Sequence, residues 1–239
     1  MTEGFVIAID GPAAAGKGTI VQMLTEFLQG VNIYTGGMYR ALGLKCLQEN
    51  VSLEDKEKVI EILNSTDINL GEEGSLGVVA QIFMDGENVT EKIKTPDAAL
   101  AAGKVVLIEE VRNEMVKKQY LLAKSFVDEG RVVILDGQDV ALIYPDSPMK
   151  IFLTASQEIR AKRRQRQYEK QGMEKSFEAV LEEIKERDQR DWSRKLRPLS
   201  KDPVKDGYFV LDSTSLNEEE TFKIIKEELE KRGLINDKN

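Results

Sequence analysis

The feature that most restricts the possible folds is a short apolar run that leads directly into a glycine-rich loop. Residues Phe5 to Ile9 are all apolar, and Asp10-Gly11 follows them. A run of this length predicts a strand buried on both faces, as in a parallel sheet. Residues Lys17 to Leu28 then show the apolar spacing of a helix. The order of strand, loop and helix predicts an α/β fold.

The loop between this strand and helix has the composition of a phosphate-binding loop, or P-loop. Its residues are Gly11, Pro12, Ala13, Ala14, Ala15, Gly16, Lys17, Gly18 and Thr19. Glycines let backbone amides turn toward phosphate oxygens, the helix N-terminus adds partial positive charge, and Lys17 can reach the outer phosphates. The alternative is an ordinary glycine-rich turn, but the strand, the spacing and the lysine together favour a P-loop that binds a nucleotide.

Further short apolar runs recur along the chain, separated by helical patterns. They lie at 31–34, 132–135, 149–153 and 208–211. Strands that alternate with helices predict a doubly wound sheet with a helical layer on each face. We therefore predict a three-layer α/β sandwich around a five-stranded parallel sheet. The last helix should begin near Asn217, because Asn217 and Glu220 have capping-box spacing.

Residues 67–97 break this alternation. Asp85-Gly86 lies between apolar runs, which is a hairpin signal. We predict a small antiparallel subdomain at 67–97, inserted into a core formed by 1–66 and 98–239. The charged stretch 157–175 is predicted to form a helix pair or a mobile flap within that core, and we call it the lid.

Composition excludes several classes of function. The 239 residues include no histidine, which excludes a Ser-His triad and a His-ligated zinc site. The net charge of −8 does not favour nucleic acid as a partner. No apolar stretch is long enough to span a membrane, and one cysteine, Cys46, fits a reducing compartment. We expect a cytoplasmic monomer that binds small molecules and neither nucleic acid nor membrane.

A second motif follows the second predicted strand. The segment Thr35-Gly36-Gly37-Met38-Tyr39-Arg40 lies at the carboxyl end of that strand, where ligands bind in such sheets. Arg40 can grip a phosphate with its planar fork. The alternative is a helix N-terminus with a solvated arginine.

The order of the motifs resembles that of bacterial cytidylate kinases over about residues 5 to 230. That family carries G-P-x-x-x-G-K-G-T, S/T-G-x-x-Y-R, an insert that binds the nucleoside monophosphate (NMP), V-R, D-G-R-D-x-G-T and E-R-D-x-x-D-x-x-R. This chain has the first two motifs, the insert, Val111-Arg112 and the pattern of Glu186 to Arg194. The resemblance implies a P-loop NTPase fold and ATP-dependent phosphorylation of CMP or dCMP. It also implies Mg²⁺ held mostly through phosphates and water.

The resemblance further implies roles for single residues. The catalytic residues would be Lys17, Arg187, Arg194 and Asp136, with Asp136 organising Mg²⁺ and its waters and no side chain holding the metal directly. The substrate-binding residues would be Thr35, Arg40, Arg112, Asp139 and Asp191. Arg40 and Arg112 would hold the acceptor phosphate or sugar, and Asp191 would position neighbouring arginines.

Two basic clusters leave alternatives open. Residues 187, 191 and 194 have the spacing of one helix face, and arginines there could neutralise a transferred phosphate. A solvated, ion-paired helix is the other interpretation of 187–197. In the first cluster, which contains Arg160, Arg163 and Arg164, an arginine could stack on adenine or belong to a solvated face.

The chain also departs from the family pattern. Gln138 replaces an arginine, Ala141-Leu142 replace Gly-Thr, Tyr34 replaces an aspartate, and Gly103 replaces a serine that often reads the cytosine edge. Three hypotheses therefore stand: a CMP/dCMP kinase, a P-loop kinase with another acceptor, and a nucleotide-binding protein with little turnover. The intact arginines favour an enzyme, whereas Gln138 favours the third hypothesis.

Overall fold

The computed structural model describes residues 4–70, 81–194 and 197–236. Its strands are β1 (Val6–Asp10), β2 (Val31–Tyr34), β3 (Ile68–Leu70), β4 (Ile82–Met84), β5 (Glu87–Asn88), β6 (Val133–Asp136), β7 (Met149–Thr154) and β8 (Phe209–Asp212). Its α-helices are α1 (Lys17–Leu28), α2 (Thr35–Gln48), α3 (Lys56–Ser65), α4 (Pro96–Val105), α5 (Glu109–Asp128), α6 (Val140–Ile143), α7 (Gln157–Lys170), α8 (Phe177–Ser193) and α9 (Glu218–Lys231). A 3₁₀ helix spans Lys92–Lys94.

The main sheet is parallel and has the strand order β2-β6-β1-β7-β8. Successive residues of β1 face opposite sides: Val6 and Ala8 belong to a core that includes α2 and α5 residues, whereas Ile7 and Ile9 belong to one that includes α1 and α9 residues. The sheet is therefore buried on both faces, and the predicted three-layer α/β sandwich is confirmed. Asn217 and Glu220 form the predicted capping box of α9.

The carboxyl ends of three neighbouring strands meet at one edge of this sheet. Asp136 of β6 lies in register with Ile9 of β1 on one side and with Tyr34 of β2 on the other. The P-loop, the segment that begins at Thr35 and the segment after Asp136 therefore emerge side by side. Parallel pairing thus gathers motifs that lie a hundred residues apart.

A second sheet, of order β3-β4-β5, is antiparallel as predicted. The hairpin turns at Asp85 and Gly86, whose φ angles of 51° and 80° are the positive values that a type I′ turn requires. Part of the predicted subdomain, residues 71–80, lies outside the described residues, and β4 begins at Ile82. This sheet packs closely on α2, because a Cβ at Gly37 would lie 2.2 Å from Ile82 Cδ1.

The helices α7 and α8 form a packed pair, each beginning at a serine whose side chain accepts a backbone N–H of the first turn. The prediction that residues 187, 191 and 194 share one helix face is wrong for Arg194. The helix ends at Ser193, and Arg194 has an extended ψ of 134°. The backbone leaves the helix before the third member of the spacing is reached. In the described ranges, no helix is long and apolar enough to cross a membrane.

Candidate active site

The P-loop wraps tightly between β1 and α1. Gly11 has φ 144°, and a Cβ there would lie 2.0 Å from the Leu153 carbonyl oxygen, so only glycine fits this close approach. Gly16, with φ 99°, is the residue before α1. Lys17 Nζ donates to the carbonyls of Gly11 at 2.7 Å and Pro12 at 3.0 Å. The lysine is thereby held over the mouth of the loop, where outer phosphates would lie.

Two carboxylates face the P-loop lysine from the strand ends. Burial lowers the pKa of Lys17, while the charges of Asp136 and Asp10 oppose that effect. Burial likewise raises the pKa of Asp136, and Lys17 opposes it. The ammonium of Lys17 and the carboxylate of Asp136 therefore stabilise each other's charged forms. Asp136 lies where a metal and its waters could be organised beside phosphates.

Asp10 is a site residue that sequence analysis described only as the end of a strand. It is fully buried, and it accepts hydrogen bonds from the amides of Val140 at 2.8 Å and Ala141 at 3.0 Å and from the Tyr208 hydroxyl at 2.7 Å. Burial raises its pKa to about 6 against the lowering effect of these donors. Asp10 thus anchors the segment that follows Asp136 to the P-loop strand. Its position directly before Gly11 is the only signal in the sequence.

Thr35 is the first residue of α2, and Arg40 lies five residues further along the same helix. The Thr35 hydroxyl donates to the Asp136 carbonyl at 2.8 Å, and Thr35 is buried. Arg40 Nη1 donates to the Ile93 carbonyl at 3.1 Å, next to the small sheet. Thr35 therefore joins β2 to β6 below the site, whereas Arg40 bridges the core and the inserted segment.

Arg112 and Asp139 form a buried ion pair. Arg112 Nη2 lies 2.7 Å from Asp139 Oδ2, and only 2% of the arginine is exposed. Arg112 Nε is also buried and has no hydrogen-bond partner in the described ranges. Asp139 therefore binds the guanidinium at Nη2, while Nε remains available as a hydrogen-bond donor.

Asp191 is the meeting point of the other motif residues. Its carboxylate accepts a hydrogen bond from Gln138 Nε2 and lies 3.7 Å from Arg187 Nε. Arg194 Nε donates to the Asp191 carbonyl at 3.4 Å. Burial lowers the pKa of Arg194, and Arg112 adds to that effect while Asp191 and Asp139 oppose it. Of the residues predicted from the last family motif, Arg194 therefore lies near the Arg112–Asp139 pair, and Asp191 links Arg194 to Arg187.

Tyr39 and Arg197 complete this second cluster, and sequence analysis singled out neither. Burial raises the pKa of Tyr39 to about 12, against the charges of Arg112, Arg197 and Arg194. The sequence signal for Arg197 was its place in the basic stretch 187–197. We call Tyr39, Arg112, Asp139, Arg194 and Arg197 the acceptor cluster.

Neither interpretation of the first basic cluster holds for Arg160. Its guanidinium forms a bidentate pair with Asp188, at 2.8 and 2.6 Å, and both side chains are about 3% exposed. It also donates to the Ala13 carbonyl at 3.2 Å. Arg163 donates to the Ala15 carbonyl at 2.9 Å. Both arginines therefore brace the P-loop from α7, while Arg164 lies 4.7 Å above the Tyr168 ring.

Known proteins match this chain along nearly its whole length. The family model described as cytidylate kinase matches residues 7–231. A cytidylate kinase from Caldicellulosiruptor bescii is 44% identical over 93% of this chain and 98% of its own length. One from Bacillus subtilis is 39% identical over 98% of this chain and 100% of its own length. A crystal structure of an uncharacterized protein from Eubacterium ventriosum, 14% identical, covers 95% of this chain and 98% of its own with a TM-score of 0.52, which shows a common fold alone.

Proposed function

The chain belongs to the cytidylate kinase family, and we propose that it transfers the γ-phosphoryl group of ATP to CMP and dCMP. The observation that carries this proposal is the arrangement of two positive sites around one sheet edge. Lys17 in the P-loop and the arginines of the acceptor cluster flank Asp136, Asp191 and Arg187. A donor phosphate and an acceptor phosphate would thereby face each other, as direct transfer requires.

Each group has a distinct task in this proposal. The P-loop amides and Lys17 bind the outer phosphates of ATP. Arg187, whose side chain is half exposed, can turn toward the transferred group, while Asp191 restrains it. Arg112, Arg194 and Arg40 hold the acceptor phosphate, and Asp139 and Asp191 orient those arginines. Fixed cations are well suited to phosphoryl transfer because the developing charge is spread over phosphate oxygens.

The residues fit a Mg²⁺ ion that is held mainly by the nucleotide. In the described part of the chain, no group of three acidic, cysteine or histidine side chains could hold a metal by itself. Mg²⁺ usually takes one or two carboxylates and completes its shell with phosphates and water. Asp136, partly buried at the strand end beside Lys17, is the carboxylate that would organise those waters. When bound, Mg²⁺ would neutralise charge on the phosphates of ATP.

The domain organisation belongs to the same proposal. Residues 67–97 would form the NMP-binding subdomain, to which Arg40 is linked through Ile93. The lid, 157–175, would close over ATP and exclude water, because a kinase with a wet site would hydrolyse its donor. A monomer in a reducing cytoplasm belongs to the same proposal, and the buried free thiol of Cys46 accords with that compartment.

A coupled assay with ATP and Mg²⁺ tests the proposal against CMP, dCMP, UMP, AMP and GMP. We expect turnover with CMP and dCMP at kcat/KM values well above those of the other three. Thermal shifts with the same nucleotides provide a check that does not depend on turnover, because a ligand bound only by the folded state raises stability. Preferential turnover of another NMP would support the altered-acceptor hypothesis, and binding without turnover would support the non-catalytic one.

A further inference from the structure

Three arginines of the acceptor cluster carry buried nitrogen atoms that have no hydrogen-bond partner among the described residues. These are Nε of Arg112, Nη2 of Arg194 and Nη1 of Arg197. Buried donors without acceptors are unfavourable and rare in folded proteins. Three such donors on neighbouring guanidinium groups indicate a site built for an anion with several acceptor oxygens.

The backbone around Arg197 holds its side chain toward this site. Arg197 has φ 49°, a left-handed conformation that is costly for a residue with a side chain. The segment is tied back to α8, because the Leu199 amide donates to the Asp191 carbonyl at 3.0 Å and Leu199 is 1% exposed. Trp192 Nε1 adds a bond to the Ser200 carbonyl at 3.3 Å. The chain therefore turns sharply at Arg197 instead of releasing it to solvent.

Among the residues that the structure describes, no carboxylate forms an ion pair with Arg197. Asp139 pairs with Arg112, and Asp191 is engaged by Gln138 and Arg187. The charges that act on the buried Tyr39 hydroxyl are those of Arg112, Asp139, Arg197 and Arg194. Three of these four charges are positive, so the cluster keeps an excess that a phosphate monoester can neutralise.

We infer that Arg197 binds the phosphate of the acceptor nucleotide together with Arg194, and so supplies the cation that Gln138 cannot. Gln138 has a neutral amide, and that amide is already bonded to Asp191. The family pattern has an arginine at position 138, whereas in this chain Arg197, from a different segment, brings the positive charge to the same cluster. The inference rests on the proposed function, since it assigns a phosphate-binding residue to that acceptor site.

The decisive experiment compares CMP with cytidine, which lacks the phosphate. Arg197→Gln removes the charge but keeps a polar side chain that can still donate a hydrogen bond. Arg190→Gln is the matched control, because Arg190 is exposed and its Nε donates to the Glu186 carbonyl within its own helix. Arg197→Gln should weaken CMP binding about ten- to a hundredfold, the usual effect of losing one charged hydrogen bond. The inhibition constant of cytidine and the KM for ATP should not change, and Arg190→Gln should change none of the three.

Equal losses for CMP and cytidine, or no loss of CMP binding, would overturn the inference. Circular dichroism and the unfolding midpoint show whether each variant is folded. If Arg197→Gln does not fold, Arg197→Lys retains the charge without the fork, and it should give a smaller loss for CMP and again none for cytidine.

Gln138→Arg provides an independent arm. It should raise CMP affinity more in the Arg197→Gln background than in the wild type, because the wild type already has the positive charge of Arg197 in the cluster. Equal gains in both backgrounds would contradict the idea that Arg197 replaces an arginine at 138.

Measurements on the wild type separate this inference from the proposed function. Absence of CMP turnover in the wild type would contradict the function, whereas normal turnover with an unaffected Arg197→Gln variant would contradict the inference alone.

Discussion

The Tyr208 hydroxyl donates a 2.7 Å hydrogen bond to the buried carboxylate of Asp10, from a position 198 residues further along the chain. Tyr208 lies just before β8, at the far edge of the sheet, and its ring packs against Phe152 of β7 with centroids 5.8 Å apart. Asp10 in turn holds the amides of Val140 and Ala141. Segments from three parts of the chain are therefore joined at the base of the P-loop.

This arrangement predicts a specific pH dependence for Asp10. Its pKa in the folded protein is about 6, above its ordinary value of 3.8. The folded state therefore binds the proton more tightly, and the contribution of Asp10 to stability falls as the pH rises from about 4 to 6. Between pH 4.5 and 7, wild type should lose roughly 2 kcal/mol relative to Asp10→Asn, which does not titrate. Urea unfolding of both proteins at pH 4.5 and 7 measures the difference.

Tyr208→Phe is the control for this prediction. It removes a donor that lowers the pKa of Asp10, so the fall in stability should extend to higher pH. Parallel pH profiles for wild type and Asp10→Asn would show that Asp10 titrates normally, contrary to the prediction.

Lys17→Met should abolish phosphoryl transfer without unfolding the protein. The ammonium contacts two loop carbonyls and faces the phosphate site, so its loss should lower kcat by at least about a thousandfold. The free energy of unfolding without nucleotide should change by about 1 kcal/mol or less. Kinetics and denaturant unfolding provide the two measurements, with Lys58→Met as an exposed control on α3 that should leave both values unchanged. Full activity in Lys17→Met would end the kinase interpretation.

Gly11→Ala should both destabilise the protein and prevent ATP binding. The new methyl group would lie 2.0 Å from the Leu153 carbonyl oxygen, so the P-loop or β7 must move. We expect a loss of more than about 3 kcal/mol. Gly172→Ala is the matched control, because Gly172 also has a positive φ, 73°, but a Cβ there meets nothing in the described structure. Its cost should be about 1 kcal/mol, from backbone strain alone. Similar losses for the two variants in thermal or urea unfolding would count against the steric argument.

The Arg160–Asp188 pair should show strong coupling in a double-mutant cycle. Arg160→Met or Asp188→Leu alone leaves an uncompensated buried charge, at a cost of about 3–5 kcal/mol. The double variant should be more stable than either single one, since it buries no charge. Removing the exposed pair Lys185–Glu182 should have no measurable effect. Additive losses at 160 and 188 in urea unfolding would contradict a direct buried pair.

The sequence by itself determined the elements whose signals are local. The β1 run, the P-loop, α1, the Asp85-Gly86 hairpin and the Asn217 capping box were all predicted where the structure has them, because strand burial, glycine conformations and caps depend on a few adjacent residues. Motif order also indicated the cytidylate kinase family, which the family model over residues 7–231 confirms.

Only the tertiary structure decided which side chains meet. Asp10 has partners at 140, 141 and 208, Arg160 is neutralised by Asp188, and α8 ends one residue before Arg194, which the spacing had placed on the helix. Arg197 joins the acceptor cluster because Leu199 and Ser200 fold back onto α8. The physical reason is that the charge state and role of a polar group depend on its burial and on neighbours that are distant along the chain, and no local pattern encodes these.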